Sequence, residues 1–562
     1  MEPTLRVPYQ YKEYTESFGG LNRNVSVSPG EFREEENLSS DQYPVLTVRP
    51  PRKKLEETGQ ALLAGEGLIR VEGSDLVLPS RRVPLELTRE GEKTLSAMGS
   101  YILVFPDKKY ASILEEGDYG SMEACFQAQG PVTATPCTLD GTKRLPDYIG
   151  TQPPEDPENG QVWLDTSGNV LKVWSGTSGM WIQEETGYIR LEKSGIGRDF
   201  RQYDGVRLED CGALNGANTV WAREEDALVV AGTLAEGTEL NGLVIRRVVP
   251  DMDYVTECGN RLWGCRAGKN REGKTVNEIY ACKLGDFRNW ESFLGLSTDS
   301  YSVGVGSPGG FTGAVTYLGT PIFFKEDCLY KVYGSYPAAY RLQMTACAGV
   351  QAGCAGSLAI AGETLYYKSN LGVCAYEGAM PRDIGRALGA GPFRNALGAA
   401  WGSLYYLSME DAEGENGIYV YDGTRNLWHR ETGMAARCLT GCQGKLYALD
   451  GEGALWCLRG EEGEERVSWT AQTGKLDYCR GGRYLTGLSL RMELAKRSQA
   501  EISIRYDGSG PWEPAGTVVG QGQTFSLMVR PRRCSAMELR LQGTGPMRLY
   551  GMERIWQRGG RR

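Results

Sequence analysis

With 562 residues the chain is too long for one ordinary hydrophobic core, and about two to four domains are expected. Hydrophobic residues make up 41% and charged residues 24%, while 75 glycines against 25 prolines, with 30 tyrosines and 12 tryptophans, favour turn-dense strands over long helices. The net charge of −9 and the lack of a dominating basic stretch argue against tight binding of duplex DNA, and no window approaches the roughly 20 apolar residues of a membrane helix.

The opening MEPTLRVPYQYKEY has neither a basic start nor an apolar core, so no secretory signal is read there and synthesis in a cytoplasm is expected. Residues 1–55 are polar, irregular and rich in glycine, proline and acids. They read as an extended N-terminal arm that gains order by lying on something larger. Basic residues cluster only at Arg49–Lys54 and Arg558–Arg562, read as a solvated linker and a frayed tail.

A repeat follows. SYILVF (100–105), NRLW (260–263), TPIFF (320–324), ETLYY (363–367), GSLYY (402–406) and GKLY (444–447) are short apolar runs entered through a turn. Their partners are EIYACKLGD (278–286), CLYKVYG (328–334), GVCAYEG (372–378), GIYVYDG (417–423) and ALWCLRG (454–460). The anchors Ile322, Leu365, Leu404 and Leu446 recur at about 40 residues, the length of one four-stranded propeller blade. GLIRVEG (67–73) adds a further strand pair. Residues 56–114 and 246–465 are therefore expected to form a six- to seven-bladed β-propeller.

Residues 115–245 are too many for one blade and read as inserted β structure. Trp163, Trp174 and Trp181 recur within it, as the core of a small three-stranded unit or as a platform for stacking sugar rings. From 466 to 562 the period becomes two. Leu488, Leu490, Met492 and Leu494, then Ile502 and Ile504, Phe525, Leu527 and Val529, Leu539 and Leu541, and Leu549 alternate with polar residues, as in an antiparallel β-sandwich. The fold class is all-β.

Chemistry is sparse. The single histidine, His429, stands beside Trp428 and reads as packing. Asp251 and Asp253 in VPDMDYVTE are the best-placed carboxylate pair for glycoside hydrolysis, and SGTSGMW, YDGTRNLW and YDGSGPW read as tryptophan-covered turns. Fifteen cysteines, none in CxxC spacing, read as reduced core thiols. GVGSPGGFTGAV (304–315) lacks a following phosphate-binding helix. No catalytic, cofactor or metal site is assigned, and none of these groups is expected. Trp163, Trp174 and Trp181 are the candidate contacts for a glycan or partner.

Three segments carry a resemblance to short-tailed phage virion propellers, the tail nozzle and packaged-DNA stabilisation proteins. FGGLN…ENLSSDQYPVLTVRPPR is similar to their openings. CGNRLWGC…NEIYACKLGDFRNWESFLGLSTDSYSVGVGS resembles one of their blades, with Asn260, Arg261, Asp286, Phe287, Asn289, Trp290 and Asp299 at matching places. The ending RRCSAMELRLQGTGPMRLYGMERIWQRGGRR resembles modules of prophage proteins from gut Firmicutes. The resemblance implies a non-enzymatic virion component: a homo-oligomeric ring, with six copies expected, that joins other tail, adaptor or portal proteins and conducts or retains DNA without reading its sequence. An acidic wall would let DNA slide. A tail-tip, receptor-binding (glycan-adhesion) protein and, further off, a propeller glycosidase are the alternatives.

Overall fold

The computed structural model describes residues 10–88, 90–184, 187–234, 238–463, 465–476, 483–520 and 524–558, so most of the basic C-terminal tail and Cys479 lie outside the described residues. The protein is all-β: strands dominate, and helix is confined to single 3-10 turns such as Gly212–Leu214 and Gly385–Leu388. No helix among the described residues is long and apolar enough to cross a membrane. The chain divides into two compact units, Met1–Pro84 with Phe324–Leu329 and Thr345–Arg562, and Leu85–Phe323 with Tyr330–Met344.

The first unit contains four antiparallel four-stranded sheets. One runs from Ala359 to Asp383 and the next from Arg394 to Glu431. A third joins Ala436–Cys442, Lys445–Asp450 and Ala454–Arg459 to Lys53–Thr58, and the fourth runs from Ala61 to Val83. They pack in that order, face on face. Alternation explains the packing. Tyr406, Ile418 and Val420 on one sheet meet Leu446, Ala448 and Leu458 on the next, all buried. Leu449 and Leu455 then meet Leu62. Each sheet alone would leave such a face in water, at a cost of roughly 25 cal/mol per Å² of apolar surface.

The same unit holds two six-stranded sheets around one core. Arg483–Leu494, Phe525–Cys534 and Met547–Arg558 form one with Gln10–Thr15, Leu38–Ser39 and Leu46–Val48. Ser468–Thr473, Gln499–Tyr506, Glu513–Val519 and Met537–Thr544 form the other with Gly20–Leu21 and Glu31–Glu36. Leu488, Leu490, Met492, Ile502, Ile504, Leu539 and Leu541 point into the core with Trp556, and Phe525 and Leu527 pack at its margin. The segment read as an arm thus supplies five strands here, and its Phe32 is fully buried, stacked on Phe18.

The Arg49–Lys54 cluster is not a solvated linker. Arg49 and Arg52 are 3% and 4% exposed, because a buried carboxylate waits for them. Glu431 Oε2 lies 2.8 Å from Arg52 Nη2 and 3.8 Å from Arg49 Nε, and its Oε1 lies 3.6 Å from Arg459 Nη2. Arg49 also grips Glu465 through both terminal nitrogens, at 2.8 and 3.0 Å. Burial pushes the Glu431 carboxyl up, but Arg52, Arg459 and Arg49 outweigh it and hold the group below its usual range.

The second unit carries two further four-stranded antiparallel sheets, Thr94–Ser121 and Tyr254–Gly304 by their outer strands, and most of a four-stranded sheet that runs from Gly313 to Ala346. Leu103, Phe105 and Tyr110 of the first pack on Leu262, Cys282, Phe287 and Trp290 of the second. Between these two sheets in sequence, strands from Ala124 to Arg247 form an eight-stranded sheet with its own core, Ile189, Leu191, Val206, Val230 and Ile245 among its members. A small sheet of Tyr148–Gly150, Val162–Asp165, Val170–Ser175 and Met180–Gln183 is carried within it.

Glu431→Gln strands the buried Arg52 guanidinium, while Arg49 keeps Glu465 and Arg459 keeps Asp41, and is expected to cost about 3–5 kcal/mol in urea denaturation of the full chain. Because the folded carboxyl titrates below the unfolded one, its contribution is complete above the unfolded value of about 4.3 and is lost as pH falls through the folded value. The variant should therefore lose less stability than wild type on going from pH 6 to pH 3.

Candidate functional site

In the second unit, the inserted strands and the sheet Tyr254–Gly304 border a cleft of about 280 Å³. Strand Thr275–Ala281 brings Glu278 and Tyr280 to it; two residues apart, they share one face of the pleat. Ser302 stands opposite Tyr280 on the neighbouring strand. The insertion contributes Arg207, from strand Gly205–Glu209, and Val248–Asp251, which follow strand Val244–Arg247.

The connection between Ala281 and Tyr301 contributes Trp290, Glu291 and Phe293. It has no regular structure of its own, so side chains must fix it. Arg261 does this by donating to the carbonyls of Cys282, Asp299 and Ser297 at 2.7, 2.5 and 2.9 Å. Asp299 accepts from the Leu294 and Leu296 amides at 2.5 and 3.0 Å. Asn289 ties the connection to the insertion, donating to Tyr203 O at 2.7 Å and accepting from Gly205 N at 3.1 Å. Arg261, Asn289 and Asp299 therefore hold a loop in place. With the loop so held, Trp290 is buried and Phe293 stays 59% exposed at the cleft.

The charges of the cleft are largely paired. Lys108 and Arg271 contact Asp251 at 2.7 and 3.0 Å, and Arg271 also meets Glu123 at 2.9 Å. Burial pushes the Asp251 carboxyl up, but Lys108 and Arg271 outweigh it and keep it below its usual value, hence ionised. Arg207 bridges Glu272 and Glu291, the latter at 2.6 Å. Glu278 differs: among the described residues it has no cationic partner, and its Oε2 accepts the Tyr280 phenol at 2.7 Å. Burial and this hydrogen bond hold the phenol well above its ordinary value. A phenol at hydrogen-bond distance from an unneutralised carboxylate is the arrangement of a nucleophile beside its base.

The residues singled out in the sequence fall in different places. Asp251 lines the cleft, whereas Asp253 does not; its carboxylate holds Arg266 Nη1 at 2.5 Å and the Ala267 amide at 2.9 Å. Trp163, Trp174 and Trp181 stand in the small sheet, where Trp174 and Trp181 are cross-strand partners. Their rings meet at 5.5 Å, and Trp181 meets Trp163 at 5.4 Å, edge to face. Trp163 is buried, donates to Gly150 O at 2.9 Å and has the Lys172 ammonium over its ring. His429 is buried too, with Nδ1 against Glu35 Oε1 from the N-terminal segment, a partner 394 positions away that no local pattern announces. Cys137, Cys211, Cys282 and Cys354 are buried thiols without a disulfide, and burial pushes Cys282 up to about 12. Among the described residues, no group of three or more His, Cys, Asp or Glu side chains is placed to hold a metal ion.

No family model matches the chain, and no curated protein does. Solved structures do. An exo-beta-1,3-galactanase from Phanerochaete chrysosporium, crystallised with galactose, is 9% identical over 53% of this chain and 94% of its own, with a TM-score of 0.21. A GH43 glycoside hydrolase engineered to display both endo-xylanase and exo-arabinofuranosidase activity is 9% identical over 55% of this chain and 98% of its own, with a TM-score of 0.21. An extracellular domain from B. thetaiotaomicron covers 91% of this chain and 94% of its own at 7% identity and a TM-score of 0.19. Matches to glycoside hydrolases correct two expectations, that the chain is a DNA-conducting tail ring and that it is no enzyme. At such TM-scores they carry no argument for a shared activity, and the function has to be read from the cleft.

The packing of the indoles makes Trp163 a core residue. Trp163→Ala is expected to destabilise the small sheet by about 3–5 kcal/mol and to erase its near-UV circular dichroism, whether or not a sugar is present. Unchanged stability with loss of glycan binding would assign the ring to a binding platform instead.

Proposed function

We propose that the four-stranded sheets of each unit are β-propeller blades, and that the chain acts on glycans from the Glu278–Tyr280 cleft. The blade reading is supported by strand Lys53–Thr58, which completes the sheet of Ala436–Arg459 and so ties the start of the series to its end. The functional reading is carried by one observation: the Tyr280 hydroxyl donates to a carboxylate that has no ion-pair partner among the described residues, in a cleft that also exposes Phe293.

The cleft's chemistry suits a sugar. Phe293 and Tyr280 offer apolar faces, while Asn270, Ser302 and Glu291 offer polar groups for hydroxyls. Tyr280 is the nucleophile and Glu278 its base. The glycosidic C–O and phenolic O–H bonds break, and a tyrosyl C–O bond and the O–H of the departing alcohol form. Water then splits the tyrosyl glycoside with Glu278 again as base. Asp251, paired with Lys108 and Arg271, fixes these two cations at the wall of the cleft.

A glycan array followed by hydrolysis assays on the bound sugars tests this reading. Tyr280→Phe and Glu278→Gln are each expected to lower turnover by about 10²–10⁴-fold with binding retained, and Phe293→Ala to weaken binding about tenfold. Absence of glycan binding, or hydrolysis untouched by Tyr280→Phe, would overturn it.

A further inference from the structure

A second cavity, of about 710 Å³, lies in the first unit against the sheet Ala359–Asp383, and the glycan reading makes no use of it. Lys368, in strand Thr364–Ser369, lines it while only 4% exposed. Its ammonium donates to Gln351 Oε1 at 2.7 Å and to the Ser369 carbonyl. Both acceptors are neutral. Two other buried lysines, Lys93 and Lys108, are each paired with a carboxylate, Asp107 at 2.6 Å and Asp251 at 2.7 Å. Among the described residues no carboxylate is ion-paired with Lys368, and the neighbouring Cys354 and Cys374 are thiols that burial pushes up. Burial accordingly pushes its ammonium below the ordinary lysine value.

A buried ammonium without a counter-charge is costly, and the usual remedies are a carboxylate from the protein or an anion from outside. The rest of the lining favours the second. Asn370 and Arg386 are exposed; Asn370 gives one amide hydrogen to Glu326 Oε1 at 3.0 Å and has the second left to donate, as has the Arg386 guanidinium. Asp383, the carboxylate of the cavity, is already engaged by the Gly385 amide at 2.8 Å and by Arg386 at 3.5 Å. The lining is thus cationic in a chain whose net charge is −9.

We propose that this cavity binds a small oxyanion, the carboxylate or phosphate group of a ligand, seated on Lys368 with Gln351, Asn370 and Arg386 around it. The Lys368 ammonium supplies the charge, and the amides supply directional donors for the remaining oxygens. The site is separate from the Glu278–Tyr280 cleft and does not depend on the glycan reading.

Calorimetric titration of the full chain with inorganic phosphate and, separately, with glucuronate tests the proposal and distinguishes the two head groups. Saturable binding of at least one is expected, unchanged by Phe293→Ala in the other cleft and weakened at least tenfold by Lys368→Met. Because a buried lysine can matter for folding, the exposed pair Asn370→Ala/Arg386→Ala provides a second reading, with a loss of about threefold or more expected. No saturable binding of either anion would overturn the proposal. So would binding that survives Lys368→Met in a folded variant, or an affinity unchanged in the double variant.

Discussion

The pairing of strand Lys53–Thr58 with strand Ala454–Arg459 is the constraint on which the first unit depends. It places Lys54 opposite Trp456 and Lys53 opposite Cys457, residues about four hundred positions apart. A three-stranded sheet with an open edge would otherwise remain, inviting pairing with foreign strands. Once made, the pairing delivers the preceding residues to the last sheets of the chain. Arg49 and Arg52 reach Glu431, Asn37 reaches Thr432 and Ser468, and Glu31–Glu36 pairs with Ser468–Thr473. The two ends of the chain therefore fold together, at a loop-closure cost that rises only slowly with length.

Buried charge is used twice, in different ways. Around Glu431 the guanidinium groups of Arg52, Arg459 and Arg49 surround one carboxylate, all at most 4% exposed along their side chains. Such clusters add little net stability over apolar packing, but they penalise any arrangement that leaves a partner unpaired, and so fix how the N-terminal segment docks. In the Glu278 cleft the pairing is incomplete. Lys108, Arg271 and Arg207 neutralise Asp251, Glu291 and Glu272, while Glu278 has a phenol and, among the described residues, no ion-pair partner. An unpaired carboxylate amid paired ones is where reactivity is most readily placed.

Local patterns were readable in the sequence and distant ones were not. The runs around Ile322, Leu365, Leu404 and Leu446 each lie in a four-stranded sheet, because a turn followed by alternating apolar residues is a local signal. The alternation from Leu488 to Leu541 is of the same kind. Gln10–Thr15 and Glu31–Glu36 gave no such signal: QYKEYT and EFREEE are polar, and their strand character comes from the edges they meet. The same holds for chemistry. Asp251 stood out in the sequence, yet its role depends on Lys108 and Arg271, brought together only by the fold. Glu278 and Tyr280 were visible in EIYACKLGD as alternate residues of a strand. Nothing local marked them, because Arg207 and Val249, which help enclose the cleft with them, come from the insertion and its end. The indole set drew attention by its spacing, and spacing cannot tell a stacked core from an open platform.

The most direct measurement of the central claim is covalent trapping. A sugar bearing fluorine next to the anomeric carbon and a good leaving group slows release of a glycosyl-enzyme more than its formation. Mass spectrometry of the peptide that carries Glu278–Ala281 should then show one added fluorosugar, attached to Tyr280 and absent from Tyr280→Phe. An adduct on a different residue, or steady hydrolysis of such substrates with Tyr280 unmodified, would contradict the account.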